Sequence, residues 1–173
     1  MTVAVDIAIR HALWRSAVPG LARTVRGAAR AAAQAARPAL PSCEISVVLA
    51  DDAFVAGLNA DWRGKAGPTN VLSFPALDLG PDDPVPAAPD AAPVALGDVV
   101  VAFETTRDEA AAARLAVADH LSHLVVHGVL HLLGHDHEAT AAAERMEALE
   151  IRVLAGLGVA DPYAGGQLVT ARS

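Results

Sequence analysis

The residues with the clearest capacity for chemistry are the histidines of the stretch HGVLHLLGHDH, which runs from His127 to His137. The chain has seven histidines, and four of them fall within these eleven positions. The rest of the stretch is mostly leucine, valine and glycine. Such a concentration of imidazoles in an apolar segment indicates a metal site, an acid–base cluster or an accident of composition, and the spacing of the rings distinguishes among these.

The spacing favours a metal site. His127 and His131 are four residues apart in a helix-like segment, so both rings project from one face. Two such imidazoles can bind one ion at the ~2.0–2.1 Å zinc–nitrogen distance. Gly134 permits the left-handed turn that ends a helix, so either His135 or His137 can return to the ion. The spacing of the zinc-protease pattern H-E-x-x-H-x-x-G-x-x-H favours His137 as the third ligand and His135 as a neighbour.

Three imidazoles at a tetrahedral ion leave one position for water, which is typical of a catalytic site. We therefore predict one Zn²⁺ per chain, an ion that lowers the pKa of bound water to ~7. By ligand type, nickel, copper and iron are alternatives. His123 lies one helical turn before His127, but eight residues separate it from His131 by ~12 Å along a helix axis. It is expected to be an outer partner of a ligand or a core histidine.

Gly128 occupies the position at which zinc proteases of this spacing carry the glutamate that acts as general base. A glycine cannot transfer a proton, and loss of a general base costs a factor on the order of 10²–10⁴ in rate. A zinc metalloprotease-like peptide hydrolase is therefore an alternative function, which requires a carboxylate from elsewhere in the chain.

The YbeY family, bacterial metal-dependent endoribonucleases that act in ribosomal RNA maturation, has a signature similar to HGVLHLLGHDH. Further blocks of this chain that resemble the family are LNADWRGKAGPTNVLSFP (58–75), LGDVVVAFET (96–105), MEALE (146–150) and GVADPY (158–163). The resemblance covers most of the chain from Leu58 onward.

The resemblance implies that His127, His131 and His137 bind the metal and that Arg63 is the catalytic basic residue of the groove. It implies cleavage of single-stranded RNA in ribosomal RNA maturation (the 16S 3′ end) and ribosome quality control. Metal-activated water or the ribose 2′-hydroxyl would attack the phosphodiester while Arg63 stabilises the anion. Expected partners are a ribosomal RNA precursor, the small ribosomal subunit and assembly factors. A non-catalytic ribosome assembly factor with a structural metal is a further alternative.

The residues around Arg63 agree in part with this role. A guanidinium can bind phosphate through two hydrogen bonds and offset charge in a transition state, although an arginine in a polar turn can also be a plain surface residue. Lys65, the only lysine of the chain, could assist in substrate binding. Trp62 could stack on a base, but its helical spacing from Leu58 favours packing in the core.

Composition limits the other possibilities. The net charge is −7, which argues against a general nucleic-acid coat protein and implies that RNA is bound locally or with a partner's help. No apolar run is long enough to span a membrane, and no signal peptide is evident, so we expect a cytoplasmic protein without a membrane partner. Arginines 23, 26, 30 and 37 recur at helical spacing, which favours a solvated helix face over a phosphate-binding stripe.

The pattern of elements predicts an α+β fold in a single domain, 1–173. A single-layer sheet of about four strands, mixed but mostly parallel, follows the order β-α-β-α-β-β and packs with helices. Strands are expected at 3–9, 44–50, 69–74 and 96–104, and helices at roughly 20–37, 51–62, 106–118, 119–133 and 139–156. Either Thr105 or Thr106 is expected to cap the helix after the last strand. A proline- and alanine-rich insertion at about 76–95 is either a mobile lid or disordered, and the second is favoured because these residues offer little chemistry.

Overall fold

A four-stranded sheet forms the centre of the computed structural model, which describes residues 2–165. Its strands are β1 (Val3–Ile9), β2 (Cys43–Ala50), β3 (Val71–Pro75) and β4 (Val94–Ala102). The helices are α1 (Leu13–Ala17), α2 (Leu21–Ala36), α3 (Asp52–Arg63), α4 (Phe103–Ala113), α5 (Val117–Leu132) and α6 (Thr140–Gly156), with a short 3₁₀ turn at Pro89–Ala91. The α+β prediction is confirmed.

The strand order across the sheet is β1-β2-β4-β3. β1 pairs with β2 and β2 with β4 in parallel, whereas β3 pairs antiparallel to β4. The mixed, mostly parallel sheet expected from the sequence is therefore confirmed. A register shift between Glu44 and Ile45, which pair with Ala95 and Gly97, skips Leu96 on β4. Gly97 has a φ of 133°, which suits glycine. A side chain at Gly97 would meet the carbonyl oxygen of Phe74 at 2.2 Å, so glycine lets β3 pair closely at this point.

Helix α5 is buried on almost every side, because leucines and valines fill the positions between its histidines. It packs against α2, α6 and one face of the sheet. The hydroxyl of Ser73 on β3 donates to the carbonyl of Gly128 at 3.1 Å. A Cβ atom built on Gly128 would stand 2.6 Å from Cγ1 of Val99 on β4. The position that holds glutamate in zinc proteases is therefore in close contact with the sheet, and glycine permits that contact.

Helices α3 and α4 begin side by side and cap each other. Asp51 caps α3 by accepting from the amide of Phe54 at 2.9 Å. The amide of Asp52 donates to Glu104, while the carboxylate of Asp52 accepts from the amide and the hydroxyl of Thr105. The predicted threonine cap was wrong, because α4 begins at Phe103 directly after β4 and its N-cap is Ala102.

The arginines at helical spacing on α2 do more than face solvent. The guanidinium groups of Arg26 and Arg30 donate to the carbonyls of Val5 and Val3 at 3.4 and 3.0 Å. These carbonyls belong to β1, an edge strand whose outer backbone groups lack a neighbouring strand. Arg26 and Arg30 are exposed, as expected of a solvated helix face, and their hydrogen bonds also tie the helix to the sheet edge.

The first part of the proline-rich segment contacts the end of α5. Arg37 donates from Nη2 to the carbonyls of Gly80 and Leu133 at 2.8 and 2.9 Å, which joins the segment to the C-terminus of α5. Gly134 has φ +85°, and a Cβ atom there would stand 2.1 Å from the carbonyl oxygen of Leu79. Three apolar residues of the segment (Leu77, Val85 and Ala88) also pack against the core. The favoured expectation of a disordered insertion is thus wrong for this part of the segment.

Within residues 2–165, no individual helix combines the length and apolar composition needed to cross a membrane; α4 and α5 meet the test only as a pair bent by 117°.

Candidate metal centre

His127, His131 and His137 converge on one point. One ring nitrogen from each lies within 4.8 Å of those of the other two. The His127 and His131 ring centroids are 4.5 Å apart, and those of His137 lie 5.5 and 5.1 Å from them. Helix α5 supplies the first two rings from one face, and the loop after Gly134 returns the third. The three residues of the sequence-based prediction thus share one site.

This arrangement fits a divalent metal ion. The Nε2 atoms of His127 and His131 are 3.0 Å apart, close to the ~3.3–3.4 Å that separates two nitrogens at ~2.0–2.1 Å from a tetrahedral ion. His127 is buried, whereas His137 is exposed, so the cluster has one closed side and one open side. An open side is what a site that must admit a substrate requires.

His135 lies outside the cluster, although it is closer to α5 in sequence than His137. The amides of Gly134 and His135 donate to the carbonyls of His131 and Leu130, both at 3.1 Å, in a turn that ends the helix. The side chain of His135 lines a different pocket, together with Arg37 and Arg145. The cluster therefore contains His137, the candidate that the spacing favoured, whereas the ring of His135 lies in a different pocket.

Glu150 of α6 is the buried partner of the cluster. Its Oε1 atom lies 2.5 Å from Nδ1 of His127, and its Oε2 atom lies 3.2 Å from Nε2 of His123. The hydroxyl of Tyr163 also donates to Oε2. Because a carboxylate only accepts, His127 carries its proton on Nδ1, which leaves the lone pair of Nε2 directed to the cluster. His123 contacts Glu150 and Tyr163, as expected of an outer partner.

The network keeps Glu150 ionised and His127 neutral. Burial alone would raise the pKa of Glu150, but hydrogen bonds from His123 and His127 outweigh burial and hold that pKa below its usual value. Burial lowers the pKa of His127 despite its bond to Glu150. Burial, followed by the charge of Glu150, raises the pKa of Tyr163 above its usual value, so its hydroxyl remains a donor.

His131 is also held neutral. Burial, together with the nearby rings of His127 and His137, lowers its pKa to about 3. An imidazole binds a metal through the lone pair of a neutral ring, so protons compete little for this nitrogen near neutrality. The ring nitrogen of His131 is therefore available to bind a cation near neutral pH.

A groove of ≈ 390 Å³ adjoins the cluster. It is lined by His131, by Trp62 and Arg63 at the end of α3, and by residues 72–75 of β3. The predicted basic residue, Arg63, thus shares a groove with a predicted ligand. Lys65 lies two residues further on in an exposed loop and is absent from the part of the lining that the structure describes.

The loop that follows Arg63 is held at both ends. Gly64 ends α3 with φ 62°, and its amide donates to the carbonyl of Ala60 at 3.2 Å. The buried Asn59 side chain donates to the carbonyl of Gly67 at 2.9 Å. At the far end, Asn70 donates to Glu109, which also contacts Nε2 of His120 at 2.7 Å. These bonds give Arg63 a fixed backbone beside the groove.

Two features of the site were missed or misjudged from the sequence. Glu150 was not singled out, although its place among Met146, Leu149 and Val153 on the apolar face of α6 was an available signal. Trp62 was expected to pack in the core, and that prediction was wrong, because 73% of its surface is exposed. Its helical spacing from Leu58 did not show that α3 ends here beside an open groove.

Comparisons with known proteins point to one family. A family model described as "Endoribonuclease YbeY" matches residues 15–158. A relative from Paramagnetospirillum magneticum named "Endoribonuclease YbeY" is 53% identical over 166 residues, which cover 94% of this chain and 98% of the relative. A relative of the same name from Rhodospirillum rubrum is 52% identical over 157 residues, covering 87% and 76% of the two chains.

A solved structure has a similar fold. The solution structure of TM1509 from Thermotoga maritima superposes with a TM-score of 0.54 at 19% identity, over 89% of this chain and 91% of that one. At this identity the likeness concerns the fold alone.

Proposed function

The chain belongs to the endoribonuclease YbeY family, and from that premise we propose that it cleaves single-stranded RNA with a metal ion held by His127, His131 and His137. The observation that carries the proposal is the convergence of these three rings beside a groove that contains an arginine. The name shared by the family model and the relatives confirms the sequence-based prediction of a nuclease.

We propose Zn²⁺, one ion per chain, as the bound metal, because a set of three imidazole ligands suits zinc. When bound, the ion would supply Lewis acidity, polarising a phosphoryl oxygen and lowering the pKa of a nucleophilic hydroxyl or water. Glu150 orients the ring of His127 and fixes its tautomer through Nδ1. The apolar packing around α5 excludes water from the closed side of the cluster.

Arg63 is proposed to bind the scissile phosphate and to stabilise the negative charge that grows on it. Its guanidinium can donate two parallel hydrogen bonds to phosphate oxygens. Lys65 is proposed as a weaker substrate contact, because it lies in the exposed loop that follows Arg63.

The proposed substrate is a ribosomal RNA precursor, cut in maturation of the 16S 3′ end and in ribosome quality control. Support comes from the family resemblance of the motifs between Leu58 and Tyr163. The small ribosomal subunit and its assembly factors are the proposed partners, and the cytoplasm is the proposed location. A net charge of −7 agrees with RNA that is held locally by Arg63 or presented by a partner rather than coated by the protein.

The geometry disfavours the peptide hydrolase alternative. Gly128, at the position of the protease glutamate, is packed on Val99 and has no room for a side chain. Glu150 is hydrogen-bonded to His127, His123 and Tyr163 on the buried side of the cluster. Glu150 therefore acts as a hydrogen-bond partner of His127 rather than as the general base that the alternative requires.

The test compares His127→Ala and Arg63→Ala with wild-type protein on a ribosomal RNA precursor. We expect His127→Ala to lose bound metal and cleavage, and Arg63→Ala to retain metal but to lose about 10²–10³ in rate, the cost of removing one charge-stabilising donor. Arg23→Ala, on the exposed surface of α2, is the matched control and should cleave normally. Metal content is measured on the purified proteins and folding by circular dichroism.

Product ends identify the nucleophile. A 2′,3′-cyclic phosphate indicates attack by the ribose 2′-hydroxyl, and a 5′-phosphate indicates attack by water. Undiminished cleavage by His127→Ala would refute the proposal. Stoichiometric metal without turnover in the wild type would favour the assembly-factor alternative.

A further inference from the structure

The side chain of Trp62 is unusually exposed for a tryptophan in a folded protein. It is 73% exposed, whereas the other tryptophan, Trp14, is fully buried and donates from its indole to the carbonyl of Ala50 at 2.9 Å. Among the described residues, the other exposed large hydrophobic side chains are Leu13 and Leu157, at 51% and 37%. An exposed indole offers a flat apolar face that water solvates poorly, and such a face suits a planar ligand.

The surroundings of Trp62 complete a surface for such a ligand. The ring of Phe74 on β3 stands 6.2 Å away at an interplanar angle of 71°, an edge-to-face contact that supports the indole from one side. Both rings line the groove that also contains Arg63 and His131. A planar apolar surface, a cation and a predicted metal ligand therefore lie along one groove.

We infer that Trp62, supported by Phe74, stacks on one unpaired nucleobase of the RNA strand whose neighbouring phosphate Arg63 binds. The inference rests on the proposed function and adds a binding site for the base to it. A nucleotide combines an aromatic plane with an anion, and this groove combines an aromatic plane with a cation. An apolar surface of a protein partner would match the indole but would leave the guanidinium without an anion.

This site accounts for a preference for single strands. In an RNA duplex each base is paired and stacked between its neighbours, so its face is closed to a side chain. In a single strand a base can turn out and stack on an aromatic ring, whatever its identity, because every base has a π-face. Trp62 would therefore select for unpaired RNA without selecting a sequence.

The first experiment measures binding of a short single-stranded oligonucleotide made resistant to hydrolysis by 2′-O-methyl riboses and phosphorothioate linkages. Trp62→Ala should weaken binding about 5- to 150-fold, the change that corresponds to ~1–3 kcal/mol per stacked base. Trp62→Phe should recover part of the affinity. Leu13→Ala, which removes another exposed apolar side chain, is the matched control and should bind as wild type. Quenching of indole emission by the oligonucleotide should vanish in Trp62→Phe, because Trp14 is buried.

The second experiment removes single bases from the oligonucleotide. One abasic position should weaken binding to wild type by a similar factor and should have little further effect on Trp62→Ala, because side chain and base lose the same contact. In cleavage assays Trp62→Ala should raise KM more than it lowers kcat, since the stack is present before the reaction begins. Metal content should be unchanged.

Equal affinity of Trp62→Ala and wild type would overturn the inference, as would an abasic effect of equal size in both proteins. A different result would assign the indole to a protein contact instead. In that case Trp62→Ala would change self-association in the absence of oligonucleotide and would leave oligonucleotide affinity unchanged. Failure of the proposed function gives a different result. If the wild type binds the oligonucleotide through Trp62 but does not cleave RNA, the base-binding site stands and the nuclease activity is refuted.

Discussion

At the scale of single residues, the two nitrogens of His127 have different partners. Nδ1 contacts Glu150 at 2.5 Å, and Nε2 lies 3.0 Å from Nε2 of His131. A carboxylate behind a metal-binding histidine fixes the tautomer and makes the other nitrogen a better ligand. Glu150 is thus a positioning residue that acts on the metal through His127.

Replacement of Glu150 by glutamine is expected to weaken metal binding about 10- to 100-fold, the usual cost of losing an outer partner of a ligand. The amide is neutral, so it stabilises the donor ring less than a carboxylate does. Zinc affinity is measured by competition with a chromophoric chelator. Glu144→Gln, exposed on the same helix, is the matched control and should bind zinc as wild type. Equal zinc affinity in Glu150→Gln and wild type would remove this role.

His137→Ala is expected to weaken zinc binding by more than the 10- to 100-fold effect of an outer residue, and His135→Ala to leave it nearly unchanged. The reason is geometric, because His137 shares the cluster whereas the ring of His135 lines a pocket with Arg37 and Arg145. The same chelator competition measures both variants. A larger loss in His135→Ala than in His137→Ala would reverse the choice of third ligand.

The juxtaposition of the histidine cluster was predictable because it is a local property of the chain. Helix pitch and one glycine turn bring His127, His131 and His137 together over eleven residues. Glu150 and Trp62 depend on how distant elements dock. No local sequence pattern indicates that Glu150 of α6 contacts His127 of α5, or that the last turn of α3 lies beside a groove.

At the scale of elements, the contact between α5 and the sheet depends on Gly128. Relative to Gly57→Ala, we expect Gly128→Ala to lower the free energy of unfolding by about 1–3 kcal/mol, the usual cost of overpacking. The new methyl would meet Val99 at 2.6 Å, whereas nothing lies within 4 Å of a Cβ atom at Gly57, which is also helical. Both variants gain the helix propensity of alanine, so their difference reports the collision. Urea unfolding measures it.

A double variant isolates the contact. In a Val99→Ala background the cost of Gly128→Ala should fall by about 0.5–3 kcal/mol, the range of coupling between touching residues. Strictly additive effects would show that α5 and β4 adjust around the methyl, and would contradict the close packing inferred for this helix.

Element positions were predicted where patterns were strong and missed where tertiary contacts decide. β1 has its predicted bounds, and α2, α5 and α6 begin and end within two residues of the expectation. The change from β4 to α4 was placed too late, because no turn residue separates Ala102 from Phe103. Helix α1 was overlooked, since its five residues are held by the burial of Trp14 rather than by a repeating pattern.

At the scale of the whole molecule, charge and burial are distributed unequally. The net charge is −7, yet the groove contains Arg63, and burial lowers the pKa values of His127 and His131, which keeps these two rings neutral. The metal would therefore enter a neutral nitrogen site backed by one buried carboxylate, Glu150. This distribution links folding to protons, because the same groups titrate differently in the folded and unfolded chains.

The metal-free protein is expected to lose stability as the pH falls from about 6.5 to about 3. An unfolded histidine takes up a proton below its usual pKa of 6.5, whereas the folded chain holds the pKa of His131 at about 3. Between these values the unfolded state binds more protons, so acidification favours unfolding by about 1.4 kcal/mol per pH unit for each such group. The lowered pKa of Glu150 acts in the same direction below pH 4.5.

Urea unfolding of chelator-treated protein across this pH range measures the effect, and His131→Gln supplies the control because glutamine does not titrate. The variant should show a slope smaller by about one proton, which is 1.4 kcal/mol per pH unit, between pH 6.5 and 3. Identical slopes in both proteins would mean that His131 takes up its proton without unfolding. Its nitrogen would then be open to protons in the native state, and the cluster would bind metal only in competition with them near neutrality.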